Sequence, residues 1–276
     1  MERIKQALER ARAERQGQTG TTPTQVETVA PPPPGPAPAV PEPDVAAAEV
    51  VYSQTRHIEL SPAELRMKRV VSGFDSGEFV DAYKILRTQV LQRLNENGWN
   101  VLAVTSPGTG EGKSLTALNL SVSIAMEMGH TVLLVDANLR HPSLHEHLGL
   151  SGGRGLSDYL LDDVPLNELL VHPEGMNRLT LLPGGRALQN SAEMLNSPKM
   201  SRLVSELKSR YTGRVVVFDL PPVLSAADAM AFAPYVDATL LVVEEGHTRR
   251  KDIQHALDLL SGTNVLGTVL NKAGAH

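Results

Sequence analysis

Residues 106–116 read SPGTGEGKSLT, with Gly108, Gly110 and Gly112 spaced ahead of a cation and a hydroxyl, Lys113 and Ser114. The stretch fits G-x-x-x-x-G-K-[ST] at every place but the first, where Pro107 stands for glycine. Glycines let consecutive backbone N–H groups curl inward around an anion where side chains would block them. A helix starting at the loop turns its positive end on the same anion. In such a loop Lys113 reaches the β- and γ-phosphates and Ser114 ligates Mg2+. Gly108, Thr109, Gly110, Glu111, Gly112, Lys113, Ser114 and Leu115 are therefore the expected nucleotide-binding stretch. A glycine-rich turn that holds nothing is the bland alternative, and the surrounding sequence decides between them.

That surrounding sequence alternates. WNVLAVTS (99–106) reads as a buried strand and SLTALNLSVSIAMEMG (114–129) as the helix after the glycine turn. TVLLVDA (131–137), RVVVFDL (214–220), ATLLVVEE (238–245) and VLGTVLN (265–271) read as further strands, with helical stretches near 198–210, 225–233 and 249–261. Near-continuous Val/Leu strands separated by helices predict a mostly parallel, twisted sheet covered on both faces, a P-loop NTPase fold. Ligands of such sheets sit at the carboxyl ends of the strands, where the glycine turn lies. Upstream, Ser61, Pro62 and Glu64 form a helix-start signal. A longer helix is expected over about 77–95, with Phe79, Tyr83, Leu86, Val90 and Leu94 on its apolar side.

Two carboxylates end strands in this scheme. In LLVDANLRHP, Asp136 closes the strand after the glycine-loop helix, and Asn138 and Arg140 follow. In VVVFDLPP, Asp219 closes an apolar strand, as a Walker-B aspartate near Mg2+ does. Either carboxylate alone reads as readily as a turn or cap residue. Two strand-end aspartates in one P-loop sheet shift the reading to a nucleotide site.

Composition sets the bounds. A chain of 276 residues has room for one α/β domain plus extra segments. The net charge of -5 and the low aromatic content argue against general nucleic-acid binding. The lack of cysteine removes disulfides and thiolate zinc sites and fits a reducing compartment. No apolar run approaches the ~18 to 20 residues that span a bilayer, and MERIKQALERARAERQ lacks the apolar core of a secretory signal. The expectation is a cytoplasmic protein that reaches the inner membrane only through a partner. Residues 1–16 read as a short amphipathic helix on Ile4, Ala7, Leu8 and Ala11, either a solvated helix or a docking element. Residues 17–50, including APPPPGPAPAVPEP, read as a disordered Pro-rich linker, and 51–276 as the folded P-loop domain.

VTSPGTGEGKS (104–114), LLVDANLRHPS (133–143) and VVFDLPPVLSAADA (216–229) resemble the three nucleotide motifs of the bacterial tyrosine kinases of capsule and exopolysaccharide synthesis. GLSDYLLDDVPLNELL, LLPGGRALQNSAEML and GTNVLGTVLNKAG extend the likeness over about residues 75–274, most closely to autokinases of loci with PEP-CTERM-sorting systems. Within the deviant P-loop class, partitioning and division-site ATPases carry a second, signature lysine in the loop. Here Gly108 holds that place, which favours the kinase branch.

The resemblance implies MgATP in the loop and in-line attack of a tyrosine hydroxyl on the γ-phosphate. It implies Lys113, Asp136, Asp219 and Arg140 as catalytic residues, with Asp136 the base for the tyrosine proton. It implies Ser114, Asp136, Asn138 and Asp219 around the metal. Asn271 is a candidate for adenine or simply a strand-end turn residue. It also implies a membrane-embedded chain-length regulator as activating partner. DAYKILR (81–87) resembles the family's E-x-x-R-x-x-R oligomerisation motif, with Asp81, Lys84 and Arg87 in its three places; a solvated stripe of helical charge pairs is the alternative.

Two departures stand out. The family pattern D-x-D-x-R has Asn138 at its second aspartate, which keeps an acceptor oxygen but loses a charge. The chain also stops at NKAGAH with no tyrosine after Tyr235, so autophosphorylation on a tail of its own is not expected. His141, His145 and His147 in HPSLHEH lack zinc-site spacing and read as a solvated helix start. The rival reading is an ATP-switched assembly ATPase or nucleotide-binding regulator without tyrosine transfer.

Overall fold

The computed structural model describes residues 55–71, 77–176, 178–209 and 213–274. The N-terminal helix and the Pro-rich linker read from the sequence lie outside these residues. The strands are β1 (Arg56–Ile58), β2 (Val101–Thr105), β3 (Thr131–Asp136), β4 (Val171–Pro173), β5 (Leu179–Leu182), β6 (Arg214–Asp219), β7 (Ala238–Glu244) and β8 (Val265–Asn271). Among the described residues the helices are α1 (Pro62–Met67), α2 (Glu78–Asn97), α3 (Lys113–Ala125), α4 (Leu144–His147), α5 (Leu156–Asp162), α6 (Leu166–Leu169), α7 (Ser191–Leu195), α8 (Pro198–Ser209), α9 (Asp228–Phe232) and α10 (Arg250–Leu259).

The strands form one sheet in the order β1-β4-β5-β3-β6-β2-β7-β8. Pairs from β5 across to β8 are parallel, and β4 pairs antiparallel with β5. The five strands expected from sequence are all present. The additions are β1, β4 and β5, three or four residues each, too short to show a period of their own.

Each central strand is buried on both faces, so its alternate residues serve different cores. Leu102 and Val104 of β2 join a core with α2 and α3, while Val101 and Ala103 join one with α8 and α9. Helix α3 is sandwiched, and every residue from Thr116 to Ala125 is buried. Helix α8 has one apolar stripe, Met200, Leu203, Val204 and Leu207, at the i, i+3, i+4, i+7 spacing of a single face. Phe218 and Phe232 pack ring on ring at 4.8 Å between sheet and helix. Truncating either would cost about 3–5 kcal/mol.

Chain order places the site. From β2 the chain crosses over to β3, leaving the position between them to β6, and only β7 and β8 extend the other side. The carboxyl ends of β2, β3 and β6 thus meet at the point where strand order reverses, the place such sheets bind ligands. Register puts Asp136 directly beside Asp219 and Val104 beside Asp219.

Some local readings shift. Ser61 caps α1 by accepting the Glu64 N–H at 3.4 Å, with Pro62 in the first turn. In α2 the buried residues are Val80, Tyr83, Val90, Leu91 and Leu94, whereas Phe79 is exposed and meets Tyr83 edge-on at 5.2 Å. The helix ends at Gly98, whose φ of 66° suits a residue without a Cβ.

Candidate nucleotide site

Helix α3 begins at Lys113, straight after Gly112 with φ 88°. A Cβ on Gly112 would lie 2.0 Å from the Asn271 amide nitrogen, so both backbone and space demand glycine here. The first turn of a helix leaves its N–H groups without intrahelical partners. Among the described residues, the N–H groups of Gly110, Gly112 and Lys113 donate to no protein acceptor. They form the concave donor surface that a phosphate group fits.

Lys113 donates to Ser114 Oγ at 2.8 Å and sits 3.4 Å from Asp219 Oδ1. Asp219 is fully buried and its Oδ2 has no hydrogen-bond partner. Across the β3–β6 register Asp136 is equally buried; its Oδ2 accepts the Ser143 and Leu144 N–H groups at 2.9 and 3.0 Å. Its Oδ1 accepts the Asn138 N–H at 3.3 Å. Burial, then the negative charge of Asp219, pushes the Asp136 carboxyl up to about 7, against the pull of the Leu144 and Ser143 amides and Lys113. A carboxyl titrating near neutral pH can take up a proton and release it again.

Asn138 is also buried, and its side-chain oxygen has no partner. The unpaired oxygens of Asn138 and Asp219, with the Ser114 hydroxyl and the Asp136 carboxylate, make an all-oxygen donor set that suits Mg2+. Two facing buried carboxylates are also a place where a cation relieves repulsion. The residues present therefore fit the metal.

Arg140 sets its Nη2 3.4 Å from the buried Asp228 at the start of α9. Of the three histidines only His141 is exposed; His145 and His147 are half-buried rather than solvated, and burial lowers the His147 pKa against the raising effect of Asp219 and Glu146. Among the described residues no cluster of three or more His, Cys, Asp or Glu forms a metal centre.

Leu115 and Asn271 line a cavity of about 620 Å3 beside the loop, together with Gly112, Tyr83 and Leu270. Asn271 also gives its amide N–H to the Glu111 carbonyl at 2.9 Å. Three residues to which the quoted sequence stretches assign no role of their own, though two of them lie inside those stretches, touch the loop or Arg140. They are Asp228, Thr248, which donates to Glu111 Oε1 at 2.6 Å, and Lys272, which donates to the Gly110 carbonyl at 2.8 Å. They lie far along the chain from the groups they touch, so only the fold brings them together.

The charged stripe of α2 is satisfied within the chain. Lys84 pairs with Asp81 at 2.9 Å, while Arg87 pairs with Glu127 at 2.9 Å and donates to the Ser123 carbonyl at 3.1 Å.

No family model matches the chain. The tyrosine-protein kinase YwqD of Bacillus subtilis is 32% identical over 210 residues, covering 75% of this chain and 87% of that protein. EpsB of Ralstonia solanacearum is 32% identical over 70% of this chain, a match that spans 25% of EpsB. Among solved structures, the kinase domain of VpsO superposes with a TM-score of 0.64 at 31% identity, covering 71% of this chain and 95% of that one.

Proposed function

The chain belongs to the bacterial tyrosine-protein kinases, and on that premise we propose that it transfers the γ-phosphate of ATP to protein tyrosine in exopolysaccharide synthesis. The observation that carries the chemistry is the Asp136–Asp219 pair facing Lys113 at the mouth of the glycine loop.

The N–H groups of residues 110–113 would receive the phosphates of ATP, and the cavity beside Leu115 and Asn271 would take its base. Lys113 turns from Asp219 to the β- and γ-phosphates and offsets charge that grows there as the bond breaks. Ser114, Asp136, Asn138 and Asp219 would hold Mg2+, which would neutralise phosphate oxygens. The tyrosine oxygen attacks the γ-phosphorus in line, the bond to the β–γ bridging oxygen breaks, and ADP leaves. The phenolic proton passes to Asp136 Oδ1, the oxygen that carries only the weaker Asn138 contact. Arg140, held by Asp228, supplies a second positive charge near the acceptor.

The activating partner is a membrane-embedded chain-length regulator, and self-association runs through the α2 stripe. Lys84→Glu tests that surface better than Arg87→Glu, because Arg87 is bonded to α3 and its neighbour Glu127 within the subunit. A cytoplasmic place at the membrane, reached through the regulator, accords with a chain in which no helix among the described residues is long and apolar enough to cross a bilayer. Placement in loci with PEP-CTERM-sorting systems rests on the sequence likeness alone.

The test is incubation of purified protein with MgATP and the regulator, reading phosphotyrosine and released phosphate together. Phosphotyrosine that depends on Lys113 supports the kinase. Phosphate release without phosphotyrosine would give the site to an ATP-switched assembly protein.

A further inference from the structure

The loop is held from behind. Glu111 is only 3% exposed, and its Oε2 accepts the Gly108 N–H at 2.9 Å. Its Oε1 accepts the Thr248 hydroxyl proton at 2.6 Å. Thr248 lies in the turn between β7 and α10, and its oxygen accepts the Glu244 N–H at 2.8 Å. With that amide on its oxygen and one proton to give, the hydroxyl is committed to Glu111. Lys272, just after β8, donates to the Gly110 carbonyl at 2.8 Å and to Glu244 at 2.9 Å. Its φ of 56° is the left-handed region that a lysine adopts only when its surroundings impose it.

A trans peptide unit is planar, so its C=O and the next residue's N–H point in opposite directions. Pinning the Gly110 carbonyl to Lys272 therefore aims the Glu111 N–H forward. Pinning the Glu111 carbonyl to Asn271 does the same for the Gly112 N–H. The buried Glu111 carboxylate, fixed by Thr248, meanwhile draws the Gly108 N–H to the rear.

We propose that Thr248 and Lys272 are positioning residues for nucleotide binding: Lys272 fixes from behind the peptide plane whose Glu111 N–H faces the phosphates, and Thr248, through Glu111, holds Gly108 back so that the loop keeps its curve. The inference rests on the ATP reading of the front of the loop. Both act through the backbone of residues 108–112: Thr248 lies outside the cavity proposed for the base, and Lys272, which lines it, acts by its bond to the Gly110 carbonyl.

The experiment compares wild type, Thr248→Val, Thr248→Ser and Lys272→Met. It measures equilibrium binding of a fluorescent ATP analogue, KM and kcat for ATP, and melting temperature. Thr248→Val keeps the shape and removes the donor, and binding should weaken about tenfold, with KM rising and kcat near wild type. Thr248→Ser should restore binding, since it restores the hydroxyl. Lys272→Met, at a half-exposed side chain, should raise KM in the same way without loss of the fold. Wild-type affinity in both Thr248→Val and Lys272→Met overturns the proposal, as does a loss that serine fails to restore or one that tracks melting temperature alone. Wild-type protein that binds no analogue would overturn the nucleotide reading itself, and this inference with it.

Discussion

Asp219 and Asp237 are strand-end aspartates at opposite ends of one sheet, and their surroundings are opposite too. Asp237, just before β7, accepts the Asn100 and Val101 N–H groups at 3.0 and 3.1 Å on one oxygen and pairs with Lys208 through the other. Asp219, at the carboxyl end of β6, is wholly buried with one oxygen unpaired and a second carboxylate, Asp136, beside it. A buried charge without partners costs stability, so a fold keeps it where something else repays the cost. The amino end of the sheet is built to be stable, and the carboxyl end to bind.

The sharpest way to break this comparison is Lys113→Met. Lys113 is the cation at the carboxyl end and no part of the core, so phosphotransfer should fall by at least about a thousandfold. Thermal melting should stay near wild type. Phosphotyrosine at wild-type levels would remove Lys113 from the site.

The two aspartates themselves come next. Asp219→Asn should lower kcat at least about a hundredfold while leaving stability equal or higher, since it removes one of two facing buried carboxylates. Asp237→Ala should do the reverse. It strands two backbone N–H groups and a lysine, costing about 2–3 kcal/mol, with KM and kcat little changed. Urea melts and steady-state kinetics on both variants check it, and matching profiles would erase the distinction.

The Asp136 carboxyl sharpens the contrast through pH. Its folded-state value is raised from 3.8 to about 7, so the folded protein holds that proton more tightly than the unfolded chain. With metal chelated, its contribution is fully present below about pH 4 and is lost as pH rises through 7. Asp136→Asn should flatten that part of the melting-temperature profile between about pH 4 and 7. Equal slopes in variant and wild type would mean the carboxyl is not held under this strain.

The smallest effect expected is at Asn138. Asn138→Asp adds a charge to the oxygen donor set and should tighten Mg2+ by about threefold to tenfold. In chelated protein the third carboxylate should lower the melting temperature, and Mg2+ should recover it. Activity that falls at every Mg2+ concentration would show that the amide, rather than a carboxylate, suits this site.

Much of the proposed site stands in local patterns of the chain. The glycine spacing, Lys113, Ser114 and the two strand-end aspartates appear as local patterns because each depends on its immediate neighbours. The readings of α2 went less far. Its apolar stripe correctly includes Tyr83, Val90 and Leu94, but Phe79 is exposed, because burial at the start of a helix depends on what packs there rather than on spacing. Likewise Asp81, Lys84 and Arg87 share a face in sequence, yet Arg87 is bonded to residues at the end of α3 that no helical period reveals.

The sequence by itself determined that a strand, a glycine turn and a helix follow one another, because Val/Leu runs, glycines and helical periodicity act over a few residues. It determined as well which residue types could meet phosphate and metal. The tertiary structure alone decided that β6 lies between β2 and β3, which buries Asp136, sets Asp219 beside it and so raises the pKa of Asp136. It also decided that Thr248, Asn271 and Lys272, more than 130 residues beyond the loop, close on its rear. Hydrogen bonds and desolvation depend on distance in space, and strand order, which no local pattern encodes, sets those distances.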